Sequence, residues 1–162
     1  MANTPSKARI YKPPQKVQLS GRSVFLAGSI EMGVAEDWQT ALTERVSHLP
    51  ITVLNPRRDD WDSSWKQTAA DPQFRAQVEW ELEQQERCDV IAMYFDPNTK
   101  APISLLELGL FAASGKMVVC CPDGFYRKGN VEIVCERAKI PLVHTLDQLI
   151  DKVIERLTVT EA

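Results

Sequence analysis

The chain has 162 residues, 44% hydrophobic and 25% charged, a balance that excludes intrinsic disorder and fibrous repeats and suffices for one hydrophobic core. Its net charge of −3, with no helix carrying a Lys/Arg stripe, argues against a nucleic-acid polymer as partner. No apolar run reaches the ~20 residues of a bilayer span and the N-terminus lacks the apolar core of a secretion signal, so no membrane partner and a cytoplasmic location are expected.

Residues 1–20 carry Lys7, Arg9, Lys12 and Lys16, three prolines and no acid. They cannot close a core alone, and a flexible tail is expected ahead of one folded domain over 21–162. Apolar β-type runs then recur at Val24–Ala27, Thr52–Leu54, Val90–Tyr94, Met117–Cys121 and Leu142–His144. Amphipathic segments of helical length separate them, at about Ala35–His48, Phe74–Arg87, Ser104–Ser114, Asn130–Ala138 and Leu146–Leu157, with Gly115 and Pro141 as terminators. Strand and helix in alternation predict a parallel sheet, and short, wholly apolar strands predict one covered on both faces. The expected fold is α/β: a three-layer α/β/α sandwich with a doubly wound, five-stranded parallel sheet, flavodoxin-like or Rossmann-like, in strand order 2-1-3-4-5. Such sheets bind ligands at the carboxyl ends of their strands, beside the switch in strand order.

That rule singles out four loops, Gly28–Gly33, Asn55–Pro72, Phe95–Ile103 and Pro122–Gly129, and four features in or near them could carry chemistry. The first, Ala27–Gly33, places Gly28, Ser29 and Ile30 at the opening of a helix. It serves either as a plain strand-to-helix turn or as a cradle for a sugar or phosphate, and it lacks the dinucleotide and Walker patterns. The second, Asn55–Trp65, gathers Asn55, Arg57, Arg58, Asp59, Asp60, Trp61, Asp62 and Trp65 directly after a strand. Its indoles could stack on a base, its arginines pair with phosphate and its aspartates bond ribose, or the loop is pinned by its own ion pairs.

The third segment holds Ser104 and Glu107 in the S-x-x-E spacing of a capping box. Glu107 is therefore either a helix cap or a lone carboxylate among Leu105, Leu106, Leu108 and Leu110, kept ionised by the helix dipole and suited to attack an anomeric carbon. In the fourth, Phe74, Val78 and Leu82 form a predicted buried stripe. Glu81 lies at its edge, as a solvated flank or an inward second carboxylate, and Glu83 and Glu86 read as solvated. Cys88, Cys120, Cys121 and Cys135 lack C-x-x-C spacing and read as small buried hydrophobes, while His48 and His144 lie on unrelated segments. No metal and no cofactor are expected.

Phe25-Leu-Ala-Gly-Ser-Ile30, Cys88-Asp89-Val-Ile91 and Leu106-Glu107-Leu-Gly109 resemble the nucleoside 2-deoxyribosyltransferase family and its relatives that hydrolyse deoxynucleoside monophosphates. The resemblance runs from about residue 23 to 145, and Asn55–Asp62 is similar to a short subgroup of the family. The family shows a glycine-containing first loop, an aspartate opening the third strand and an E-L-G motif about eighteen residues later, whose glutamate is the nucleophile. Asp89 and Glu107 stand eighteen positions apart.

The resemblance implies Glu107 as nucleophile, with Glu81 where the family usually has a sugar-contacting aspartate. A further family aspartate, six before the nucleophile, is here Ala101. It also implies a nucleoside or nucleotide substrate, with Gly28, Ser29, Ile30, Asn55, Arg57, Asp59, Trp61, Asp62 and Ser104 as binding residues and Asp60, beside Asp59 and Asp62, as a source of the leaving-group proton. Transfer to a second base, hydrolysis of a 5′-monophosphate and non-catalytic nucleotide binding are the alternatives. A homodimer or larger homo-oligomer is implied, with Phe125-Tyr126-Arg127 as a contact.

Overall fold

The computed structural model describes residues 7–31, 34–58 and 64–159. Its strands are β1 (Arg9–Tyr11), β2 (Ser23–Gly28), β3 (Thr52–Leu54), β4 (Val90–Tyr94), β5 (Met117–Cys120) and β6 (Leu142–Val143). They form one parallel sheet in the order β1-β3-β2-β4-β5-β6. The helices are α1 (Trp38–Val46), α2 (Pro72–Arg87), α3 (Pro102–Phe111), α4 (Lys128–Ala138) and α5 (Leu146–Thr158), with a 3-10 turn at Ala112–Ser114 after α3. Omitting β1, the order is the doubly wound one expected, and the three layers are α/β/α. No helix among the described residues is long and apolar enough to cross a membrane.

Strand residues alternate between two cores, because successive side chains point to opposite faces. Val24, Leu26, Val90, Ala92, Val118 and Cys120 pack with Trp38, Leu42 and Val46 of α1 and Leu149, Ile150, Val153 and Leu157 of α5. Phe25, Ala27, Ile91, Met93, Met117 and Val119 pack on the other face with Trp80 of α2, Leu108 of α3 and Val131 and Cys135 of α4. All four cysteines are free and buried, as their apolar setting predicts. Phe125 also belongs to this core, its ring 4.8 Å from that of Phe95. Of the expected oligomer contact, therefore, Phe125 is withdrawn into the core while Tyr126 and Arg127 are exposed, with Arg127 over the Tyr126 ring at 5.3 Å.

Two sequence-based expectations change. The segment read as a tail contains β1, which extends the sheet by pairing Arg9, Ile10 and Tyr11 with Thr52, Val53 and Leu54. Beyond it Val17 is buried and the Trp80 indole donates to the Gln15 carbonyl at 3.0 Å. A three-residue strand has little hydrophobic pattern of its own, and its ladder partner lies about forty residues away.

The stripe assigned to the second helix is the other change. Phe74, Val78 and Leu82 are only half-buried, whereas Gln77, Trp80, Gln84 and Gln85 are the residues α2 buries. Gln77 and Gln85 turn inward to acceptors on Pro56, Glu81 and Glu107.

Candidate active site

The loops following β2 and β4 meet where the strand order reverses, and they are tied together. Ser29 Oγ lies 2.7 Å from Thr99 Oγ1 and accepts from the Asp96 amide at 3.0 Å. The Asp96 carboxylate accepts from the backbone of Glu36 at 2.7 Å and of Asn98 at 2.8 Å. Glu31 accepts from the amides of Lys100 and Ala101, each at 3.1 Å. The Ser29 carbonyl receives the Trp38 indole and the Gln39 amide.

Gly28 has φ +136°, and a Cβ there would collide with the Tyr94 backbone, so glycine is needed to let β2 and β4 close up. The first loop is thus built as a rigid support. Gly28 and the Ser29 hydroxyl are committed to the framework, while the Ile30 side chain is exposed. Asp89, which opens β4, accepts from the backbone and hydroxyl of Ser23 and so registers β4 against β2.

The capping box does not form. α3 begins at Pro102 after Ala101, whose φ of 45° is left-handed, and no side chain caps it. Ser104 is therefore inside the first turn and Glu107 a turn further, too deep to reach the orphan amides at the helix start. Ser104, Glu107 and Leu108 form the buried side of α3, while Ile103, Leu106 and Leu110 face outward, 58–67% exposed. Pro102 sets this register. Its fixed φ suits the first helical position, and the Glu31 carboxylate holds the amides before it.

Glu107, 9% exposed, accepts through Oε2 from the amide Nε2 of Gln85 on α2. Burial first, and the nearby negative charge of Glu81 second, push its carboxyl from the usual 4.5 up to about 7, with the Gln85 bond acting in the opposite direction. Glu81 is likewise pushed up to about 7 by burial, against a hydrogen bond from Gln77 Nε2 at 3.0 Å. Both carboxyls are thus held well above the ordinary carboxylate range. One ionised carboxylate beside one protonated carboxyl is the combination that covalent glycosyl chemistry uses.

Gln77, Glu81 and Gln85 recur every four residues and so stand on one face of α2. Gln77 also donates to the Pro56 carbonyl at 3.3 Å and its oxygen accepts from Arg58 at 3.4 Å. Arg58 in turn lies 4.7 Å from the centre of the Trp65 ring. Arg57 pairs with Asp37 at 3.1 Å and reaches the Gln39 oxygen at 3.5 Å, and buried Asn55 receives the Arg57 amide at 3.0 Å. The second loop thus begins pinned by local pairs at Arg57 and joins the carboxylate array through Arg58. Asp59, Asp60, Trp61 and Asp62 lie outside the described residues.

Sequence reasoning missed Gln77 and Gln85, and it gave no role to Glu31, Asp96 and Thr99 within the loops it singled out. The fourfold spacing of Gln77, Glu81 and Gln85 was available as a signal, but it competed with the apolar spacing of Phe74, Val78 and Leu82 on the same helix.

A family model described as nucleoside 2-deoxyribosyltransferase like matches residues 21–125, a span that holds β2 through β5 together with Glu81, Gln85 and Glu107. No curated protein matches the chain.

Proposed function

The chain belongs to the nucleoside 2-deoxyribosyltransferase-like family, and on that premise we propose that it cleaves or transfers the N-glycosidic bond of a deoxynucleoside or nucleotide with Glu107 as nucleophile. The observation that carries this reading is the pair of carboxyls, buried Glu107 and half-buried Glu81, both pushed up to about 7 and each held by its own glutamine.

An N-glycosidic bond breaks through a transition state with positive charge at the anomeric carbon, and a water-poor carboxylate beside it stabilises that charge most. Glu107 attacks the anomeric carbon as the bond to the base breaks, giving a glycosyl ester on its carboxyl. A proton delivered to the base completes departure, from one of Asp59, Asp60 or Asp62 or from protonated Glu81. Glu81 otherwise accepts from sugar hydroxyls. A second base attacking the ester makes the enzyme a transferase, and water makes it a hydrolase. Substrate contacts are assigned to Gly28, Ser29, Ile30, Asn55, Arg57, Asp59, Trp61, Asp62 and Ser104. At Gly28 and Ser29 the contribution is the shape of the turn, since the Ser29 hydroxyl, amide and carbonyl are spent on Thr99 and Asp96, on Tyr94, and on Trp38 and Gln39.

The test is chromatography of wild type and Glu107→Ala after incubation with ribo- and deoxyribonucleosides and their 5′-monophosphates, with and without an acceptor base. Free base released by wild type and lost in the variant supports the reading, and a new nucleoside formed only with acceptor identifies a transferase. Release of base that survives Glu107→Ala removes Glu107 as nucleophile. Release of none from any substrate removes the glycosidic reading and leaves a nucleotide-binding module.

A further inference from the structure

We propose that Gln85 is a positioning residue for Glu107, fixing the orientation of its carboxylate and favouring the ionised form. This rests on the reading of Glu107 as nucleophile.

Gln85 is completely buried, and its two amide atoms are treated unequally. Nε2 donates to Glu107 Oε2 and also to the Glu81 backbone carbonyl at 3.3 Å. Oε1 is buried with no hydrogen-bond partner among the described residues. Buried amides ordinarily satisfy both ends, and a residue needed only to fill this volume would be Leu or Met. The orphan oxygen makes sense if the orientation of Nε2 is what matters. Turning the amide over would set Oε1 against the Glu81 carbonyl and, with Glu107 ionised, against a carboxylate oxygen, three acceptors with no donor between them.

The donor therefore stays aimed at Glu107, and a hydrogen bond to an ionised acceptor is roughly twice as strong as one to a neutral acceptor. The bond thus works against the burial and the Glu81 charge that favour protonation. The backbone of Gln85 is anchored as well. Its carbonyl accepts from Lys116 Nζ at 2.8 Å and from Cys88 Sγ at 3.3 Å.

The other charged or titratable groups around this contact are each engaged. Glu81 lies one turn earlier on α2, and Arg58 approaches the same helix face through Gln77. Lys116, before β5, is bonded to the carbonyls of Gln85 and Glu86. The Cys88 thiol is pushed up to about 11 by burial and is neutral. Among the described residues, Gln85 is thus the side chain that hydrogen-bonds Glu107 directly.

Two variants and two measurements test this. Gln85→Met keeps the volume and removes the donor, while Gln85→Glu keeps the shape and puts carboxyl oxygen against Glu107. In protein carrying carboxyl-¹³C glutamate, with Glu107 assigned from Glu107→Gln, the Glu107 titration midpoint is expected to rise by about one unit in Gln85→Met. It should rise at least as far in Gln85→Glu. With whichever substrate wild type cleaves, kcat of Gln85→Met should fall about tenfold at pH 6 and recover to within about threefold at pH 8.5, with KM little changed. A midpoint unmoved in both variants overturns the proposal, as does an equal loss of kcat at both pH values. The NMR titration needs no substrate, so it decides the Gln85 contact even where wild type proves inactive and the nucleophile reading itself fails.

Discussion

Beneath α1 and α5 the sheet meets hydrocarbon: Val24, Leu26, Val90 and Val118 pack on Trp38, Leu42, Leu149, Ile150 and Val153. The buried amide of Gln39 is matched there to the Ser29 carbonyl. On the opposite face, Phe25, Ile91 and Met93 build an equally apolar floor, but the helices above it behave differently. α2 buries three glutamines and α3 buries Ser104 and Glu107, while its Ile103, Leu106 and Leu110 stand in solvent. The same strands thus support a face optimised for stability and a face that holds two carboxyls where water is scarce. Apolar burial is favourable roughly in proportion to area, whereas a buried carboxylate must be matched bond by bond. Polar groups this costly persist where they do chemistry.

Substitutions on the two faces should separate activity from stability. The largest effect expected is that of Glu107→Ala, a loss of turnover on the order of 10³-fold or more with the fold retained, read as base release beside a thermal melt. A melt that collapses instead would make Glu107 structural. Next, Trp38→Ala on the α1 face should cost about 3–5 kcal/mol by urea unfolding, through lost packing and the lost indole bond to Ser29.

The carboxyl face should betray itself by pH. Because Glu81 and Glu107 are raised in the folded state from 4.5 to about 7, the folded protein holds protons that the unfolded chain has released. Stability is full below pH 4.5 and is lost as pH rises toward 7. Each group contributes on the order of 3 kcal/mol, and Glu107→Gln should flatten the decline measured by denaturant titration between these limits. A wild-type stability that instead rises through this window would contradict the burial of the pair.

Smaller effects should follow rules already legible in sequence. Thr145→Ala removes the side chain that caps α5 through the Gln148 amide and should cost about 1 kcal/mol in a thermal melt. Leu106→Ser, on the outward side of α3, should change stability by less than about 0.5 kcal/mol. A larger loss would mean that the face is covered in solution.

α5 shows what is legible locally. Its predicted span, Leu146–Leu157, agrees with the observed helix and its buried Leu149, Ile150, Val153 and Leu157, and the structure adds a Thr145–Gln148 capping box at its start, so pattern and packing coincide. α3 shows the limit. The S-x-x-E spacing reads as a capping box, yet Pro102 and the Glu31 carboxylate start the helix earlier and carry Glu107 past the cap. β1 and the inward glutamines of α2 fail to show for a related reason: each is placed by a partner far away in the chain.

The sequence alone determined the alternation of strand and helix, the parallel doubly wound sheet, the two-sided apolar strands and the positions of the loops that could hold a ligand. Those follow from side-chain period, turn chemistry and the need to bury hydrophobic surface, all of which act over a few residues. Tertiary structure alone decided that Glu107 turns toward Gln85, that Glu81 faces the same interior and that Ser29 is spent on the framework. Each of those outcomes is a choice between solvent and a buried partner, and burial and distance exist only once the elements have packed.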